Sequence, residues 1–551
     1  MTTTTASPAP ARARAAEGGR VFAGAGTLLR FNLRRDRIRI PVWVFALFVA
    51  SAGTANNVKT LYPTAADRAS IARSSDTPAV LAMTGPRHYL EDYTFGAMLG
   101  HRMLGIAAVL VALMSVLIVT RHTRAEEETG RAELVRSAVV GRHAHLAAAL
   151  ATAAVANLGL ALLLAVGLGG MGIEGIGFGG ALLYGLAHAS VGLVFAGVAA
   201  ITVQLTAHSR GASGMALAAI GAAFALRASG DVGNQALSWF SPIGWAQRTY
   251  VFVDDRWWPL LLSLVLAGAC TAVGFRLSTR RDVGAGLRAA RTGPAAASEA
   301  LSRPFGFALR LHRGLLIGFG VGVFLLGTMY GSILGDAEDM LKDIEQVQDA
   351  LKRLGGATVA ESFAAMVMSI VAVVVAVYAV IAALRARAEE TAGRAEPVLA
   401  TGLSRAGWLG SHLAVAMAGG TLLLLVSGIG LGISGAGSTG DGGLFLKLVG
   451  AALAYAPALW VTVGVTAALH GWFPRAAAVA WVVPVSAFAI GYLGQLLQFP
   501  GWVNNLSPFG HVPRLPAAGM DWTPMAVLTL VAAGLVWLGL EGFRRRDLDT
   551  K

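Results

Sequence analysis

The sequence predicts an all-α polytopic membrane protein of about twelve transmembrane helices, arranged as two parallel six-helix repeats. Three observations predict it. Hydrophobic residues make up 55% of the 551 and charged residues 14%, with mean hydropathy +0.62, whereas soluble chains carry about 25% charged residues. Apolar runs long enough to cross a bilayer, about 20 residues each, recur along the chain. The chain also repeats itself, the second copy keeping the order of polar and apolar segments of the first. A single cysteine excludes a disulfide scaffold and a cysteine-ligated metal site.

The elements follow in order. Residues 1–20 are rich in Thr, Ala, Pro and Arg without the apolar core of a signal peptide, and read as a disordered cytoplasmic tail. Residues 21–39 form a basic amphipathic segment in which Arg30, Arg34, Arg35, Arg37 and Arg39 alternate with Phe31, Leu33 and Ile38. It can lie on an anionic leaflet or serve only as the basic flank that fixes topology. The first six-helix half is 40–282, with spans near 40–57, 99–120, 143–168, 180–206, 212–229 and 257–277. A polar, basic cytoplasmic linker covers 283–306. The second half is 307–551, with spans near 312–333, 363–384, 408–432, 444–469, 476–494 and 523–543.

Charge placement orients these spans. With both termini cytoplasmic, inner segments hold 31 of the 44 Lys and Arg residues, while acidic residues lean to the outside. That is the positive-inside pattern of a multi-pass plasma-membrane protein. The basic excess therefore meets membrane lipid, and nucleic acid is not expected as a partner.

The repetition carries the functional information. After the second span the chain runs Arg124, Ala125, Glu126, Glu127, Glu128, Thr129, Gly130, Arg131, Ala132, Glu133, and closes at Arg142. After the eighth it runs Arg387, Ala388, Glu389, Glu390, Thr391, Ala392, Gly393, Arg394, Ala395, Glu396, and closes at Arg405, at a constant offset of 263. A second pair, Ser241-Pro242-Ile243-Gly244 and Ser507-Pro508-Phe509-Gly510, precedes the last span of each half. A third closes each half, as Arg280-Arg281-Asp282 and Arg545-Arg546-Asp547. Like-oriented halves of this kind are related by an axis along the membrane normal.

These residues give the chain its resemblance. The acidic run, glycine, Glu-Leu-Val and closing arginine resemble the loop after the second helix in ABC exporter permeases of the drug and polysaccharide class. The fused twelve-span layout is similar to the actinobacterial permeases called exporters of polyketide antibiotics. The resemblance covers nearly the whole chain, and the second copy departs from it where Pro397 replaces Leu134 and Thr391 replaces Glu128. It implies a permease subunit that exports an amphiphilic or hydrophobic, drug-like cargo. Two copies of a separate ABC ATPase subunit would bind ATP and magnesium, leaving this chain without a cofactor of its own and without enzyme activity.

Read from the residues alone, each acidic loop is either a solvated helix end or a coupling element inserted into a partner. Glu126, Glu127, Glu128, Gly130, Arg131 and Glu133 form the first candidate, and Glu389, Glu390, Gly393, Arg394 and Glu396 the second. Glu127 with Arg131, and Glu390 with Arg394, are spaced four apart and are expected to pair along a short helix, which Gly130 and Gly393 could break. No Gly-Lys dipeptide exists, so no Walker A loop does either. Every acidic residue falls in loops or at span ends, including Glu174, Glu361 and Glu541, which disfavours the alternative of an ion-gradient-driven transporter. A further alternative, a mechanotransmission or sensor subunit, would be favoured by large outer domains, and the sequence offers none. His143 and His145 read as interfacial residues and not as metal ligands.

On the outer side, residues 336–355 place Met340, Ile344, Val347, Leu351 and Leu354 on one helical face opposite Asp343, Glu345 and Asp349. Trp239, Phe240, Trp245, Tyr250, Phe252, Trp257 and Trp258 surround Ser241, Pro242 and Gly244, as in a re-entrant turn or an aromatic-flanked loop. Ser507, Pro508 and Gly510 are the matching turn of the second half.

Overall fold

A computed structural model describes residues 21–76, 78–282, 284–287, 295–332, 334–335, 359–490 and 506–548. The tail 1–20 and the amphipathic stretch 336–355 lie outside them. Among the described residues there is helix and no strand. This is the outcome a bilayer imposes, because a spanning segment must satisfy its backbone hydrogen bonds internally. Among the described residues eleven helical segments are long and apolar enough to cross a membrane. The chain divides into two compact units, Met1–Thr292 and Gly293–Lys551.

The first unit begins with α1 (Ala25–Arg35), entered through Gly24 at φ 81°. One face of α1 packs on the bundle through buried Asn32, whose amide reaches Thr152 Oγ1 at 3.4 Å. Arg30, Phe31 and Arg34 point the other way and are exposed. Then follow α2 (Arg39–Leu61), the short helices α3 (Ala65–Ser75) and α4 (Pro78–Thr84), and the long central helix α5 (Phe95–Arg121). The polar loop after α5 folds as α6 (Arg124–Glu128) and α7 (Arg131–Arg136). Next come α8 (Ala144–Gly169), α9 (Phe178–Leu205), α10 (Ser209–Val232), the short α11 (Pro242–Gln247) and α12 (Pro259–Ser278). The innermost helices are α5 and α9. A Cβ on Gly185 of α9 would stand 2.5 Å from the Ala161 carbonyl of α8, so only glycine lets these two backbones meet. By contrast α2 and α12 leave Val42, Phe45, Leu261 and Val265 exposed, apolar faces suited to lipid.

The second unit repeats the plan with α13 (Glu299–Ser302), α14 (Pro304–Ser332), α15 (Val359–Ala383), α16 (Arg385–Thr391) and α17 (Ala395–Leu399). It continues through α18 (Arg405–Thr439), α19 (Leu444–Leu453), α20 (Ala456–Trp472), α21 (Val482–Phe488) and α22 (Trp522–Arg545). The expected span 444–469 is one crossing, Leu444–Trp472, interrupted between α19 and α20 because Pro457 lacks the N–H that would continue α19 and instead opens α20. The expected span 476–494 is the remaining difference. It starts as a 3-10 helix, Pro474–Trp481, and proceeds as the seven-residue α21, and 491–505 lie outside the described residues.

Parts of the linker 283–306 are held by structure. Leu287 N–H donates to the Gln204 carbonyl at 2.9 Å, so the first unit holds the chain beyond 282. At the other end α14 already begins at Pro304.

Candidate functional site

The first acidic loop is not a single helix. Gly130 stands at φ 71°, a left-handed conformation that ends α6 and starts α7 on a new axis. This break cancels the expected pairing of Glu127 with Arg131, because the i,i+4 geometry exists only within one continuous helix.

The three consecutive glutamates of α6 instead hold three different elements. Glu126 forms an ion pair with Arg35 of α1. Glu128 accepts the backbone N–H of Ser209 at 2.9 Å, capping the first turn of α10, and also takes the Ser209 hydroxyl. Such a carboxylate satisfies an orphan donor and meets the positive end of the helix.

Glu127 is the deepest, its side chain 2% exposed. Arg281, just past α12, grips it with two parallel bonds, Nη1 to Oε2 at 2.8 Å and Nη2 to Oε1 at 2.7 Å. Arg124 adds a third, Nη1 to Oε2 at 2.8 Å. Bidentate guanidinium–carboxylate pairing is the strong form of this interaction. Arg124 is fully buried because its guanidinium also donates to the Val203 carbonyl, one of the unbonded carbonyls at the end of α9.

The second loop repeats the central contact. Gly393, at φ 69°, separates α16 from α17. Glu390 is fully buried and receives Arg546, just past α22, through Nη1 to Oε1 at 2.6 Å and Nη2 to Oε2 at 2.8 Å. Arg387 approaches to 3.5 Å and His470 to 3.6 Å. The expected Glu390–Arg394 pair is replaced, since Arg394 donates to Glu389 at 2.6 Å, and Arg385 forms an ion pair with the same carboxylate at 2.8 Å. That carboxylate raises the Arg394 pKa further. Thr391, standing where the first loop has Glu128, bonds only back to its own helix, to the Arg387 and Ala388 carbonyls. The first loop thus ties three elements and the second ties chiefly the last helix.

Arg281 and Arg546 are the residues that sequence reasoning passed over. Their Arg-Arg-Asp repeat is visible, yet nothing local connects it to a glutamate 154 or 156 residues earlier. Beyond the glycine, the loops leave much of the next short helix and the turn after it exposed. Leu134 is 77% exposed and Val139 98% exposed, beside exposed Arg131 and Glu133. In the second loop Arg394, Glu396 and Pro397 are exposed.

A family profile described as "Multidrug efflux system permease Rv1217c, C-terminal domain" matches residues 26–277 and 301–544, one stretch in each half. The chain belongs to this multidrug efflux permease family. It is 41% identical over 543 residues to the multidrug efflux system permease protein Rv1217c of Mycobacterium tuberculosis (strain H37Rv), covering 98% of both chains. Each family stretch contains one acidic loop and stops just short of the arginine that clasps it.

The second motif of this efflux permease folds differently in its two copies. Ser241 accepts the Gly244 N–H at 3.3 Å and donates to the Ala223 carbonyl at 2.7 Å, so Pro242 opens a buried short helix, α11. Gly244 has no room for a Cβ, which would lie 2.2 Å from the Ser238 carbonyl. The copy at Ser507, Pro508 and Gly510 is only a 3-10 turn, Pro508–His511, without a side-chain cap. His143 packs against the rings of Phe22 and Phe275, and burial lowers its pKa. Among the described residues no group of three or more His, Cys, Asp or Glu side chains could hold a metal ion.

Proposed function

We propose that this efflux permease is the membrane subunit of an ABC exporter that expels amphiphilic or hydrophobic, antibiotic-like compounds. Separate ATPase subunits, two copies per permease chain, bind ATP and magnesium beneath the acidic loops. The reading places both termini and both loops in the cytoplasm and the chain in the plasma membrane. One observation carries it: in each half a buried glutamate of the loop after the second span is clasped by an arginine from the end of the sixth. A loop fixed in this way cannot move without pulling on the last span, so a push from an ATPase reaches the helices. The buried glutamates serve as the internal clasp, and the partner-facing surface is the exposed part of each loop: Arg131, Glu133, Leu134 and Val139 in one half, Arg394, Glu396 and Pro397 in the other.

A gradient-driven mechanism is less well supported. The buried carboxylate of Asp231, at the end of α10, is paired with Arg227 and Arg248 at 3.6 and 3.2 Å, which leaves it poorly placed to carry protons.

The test is co-purification with an ATPase, followed by Leu134→Asp with Val139→Asp. The double variant keeps its fold, because both side chains already face outward, and loses ATPase binding and cargo-stimulated ATP hydrolysis. Unchanged binding and stimulation would overturn the docking surface. Absence of any ATPase partner would overturn the ABC reading.

A further inference from the structure

We propose that Arg227, held with Asp231, Arg248 and Gln247 inside the first half, forms a recognition site for the acidic oxygen group of an anionic amphiphile; the inference rests on the efflux-permease reading. Its place in the fold follows from α10. That helix packs through a stripe of small and aliphatic residues, Ala212, Ala216, Ile220 and Ala223, and the next position in the stripe is Arg227. Since Ser209 sits against the acidic loop, Arg227 lies about 27 Å further along the helix, toward the opposite membrane face.

There the guanidinium is fully buried. Nη2 donates to the Met83 carbonyl at 3.2 Å, and the group stacks over Phe224 at 4.4 Å. Nη1 faces Asp231 Oδ2 at 3.6 Å, too long for a hydrogen bond. Asp231 Oδ1 is taken by Ser238 at 2.9 Å and by Arg248 at 3.2 Å. Arg227 Nε and Nη1 are therefore left without an acceptor, as is the Oε1 of neighbouring Gln247 without a donor. Gly105 of α5 makes the space: a Cβ there would stand 2.7 Å from Gln247 Nε2 and 3.3 Å from Arg227 Nη2.

Two guanidinium groups share one carboxylate, so the cluster is positive by one charge, and it holds two guanidinium nitrogens without an acceptor, Arg227 Nε and Nη1, beside two oxygens without a donor, Asp231 Oδ2 and Gln247 Oε1. An acidic oxygen answers the charge and the two nitrogens. The fold itself does not demand these charges. In sequence, the offset of 266 between the Ser-Pro motifs aligns Leu493 and Leu497 with Arg227 and Asp231, and no Asp, Glu, Lys or Arg occurs between Arg475 and Arg514. A buried ion cluster whose charges have no counterpart in the sequence of the other half points to a ligand contact made by the first half.

Asp231 competes with the ligand for Arg227, which gives a test with opposite signs. The full chain in zwitterionic nanodiscs is titrated with 8-anilino-1-naphthalenesulfonate and with N-phenyl-1-naphthylamine, the same rings without the sulfonate, and empty discs are subtracted. Arg227→Gln weakens sulfonate binding about tenfold or more, the loss of one or two charge-assisted hydrogen bonds, and leaves the neutral probe unchanged. Arg227→Lys recovers part of it, and Asp231→Asn tightens sulfonate binding. Equal effects on both probes, or loss of sulfonate binding in Asp231→Asn, would overturn the site in favour of a purely structural ion cluster. Repeating the titration with phosphatidylglycerol in the disc separates the sources. Competition there assigns a lipid phosphate, and unchanged affinity assigns a free amphiphile. Binding is read without ATPase or transport, so a failure of the export reading leaves this result interpretable on its own.

Discussion

Replacing Glu127 by Gln removes the charge that two guanidinium groups share while preserving the size of the side chain. Arg124 is fully buried and Arg281 is 7% exposed, so neither gains water to replace the lost carboxylate. Breaking a buried pair by removing one partner costs about 3–5 kcal/mol. The same change at Glu133, which is exposed, is expected to stay within about 0.5 kcal/mol. The assay is denaturant unfolding of the purified chain in micelles, run as a cycle of Glu127→Gln, Arg281→Gln and the double variant. With two bonds at 2.7 and 2.8 Å between the pair, the coupling energy is expected near 2–3 kcal/mol. On the proposed ABC reading, the same variants lose cargo stimulation of ATP hydrolysis while retaining ATPase binding, because the clasp lies behind the proposed docking surface. Additive costs within about 0.5 kcal/mol would mean that the two side chains do not interact, and the transmission role would fall with the clasp.

Two further outcomes concern orientation and pH. In a Cys270→Ser background, Ser137→Cys is shielded from an impermeant thiol reagent in intact cells and Glu174→Cys reacts, both positions being exposed in the fold; the opposite labelling would invert the topology. On the side away from the acidic loops, His88 donates to Asp254 at 2.9 Å and stands 3.1 Å from Glu91, with Arg256 also on Asp254 at 2.6 Å. Burial disfavours the charged imidazole, but the hydrogen bonds and charges of Asp254 and Glu91 outweigh it, so its pKa lies above the usual 6.5. For Asp254 burial likewise opposes the charge, and the bonds and charges of His88 and Arg256 together outweigh this, lowering its pKa below 3.8. A raised folded-state pKa means that the His88 contribution is complete below about pH 6.5 and is lost as pH rises through the raised value. The Asp254 contribution is lost at the acid end, as pH falls through its lowered value. Thermal unfolding at pH 5.5 and pH 8.5 should show wild type losing more stability on the alkaline side than His88→Gln; identical pH dependence would remove the bridge from the account.

Much of this molecule is decided locally and is therefore readable from its sequence. Bilayer spans need only length and apolarity, so eleven helices fall where hydropathy places spans. The exception among the described residues starts at Pro474 as a 3-10 helix, where apolarity alone does not reveal how the backbone will wind. The duplication was equally legible, because a loop, a turn and a closing arginine pair recur in order. The work of the acidic loop was not. Sequence spacing offered Glu127 a partner four residues away in Arg131, and the structure gives it Arg281, 154 residues away. Two facts decide between them, both tertiary. Gly130 takes a left-handed conformation that ends the helix, and the packing of α9 and the end of α12 around α6 excludes water from the carboxylate. Once desolvated, Glu127 must be held by a buried cation, and Arg281 delivers one from the far end of the half. Arg227 shows the same limit: periodicity puts it on the packed stripe of α10, but only the assembled half brings Asp231, Arg248 and Gln247 to it. Composition and period fix what each segment is, and long-range packing fixes which charges lose their water and must find each other.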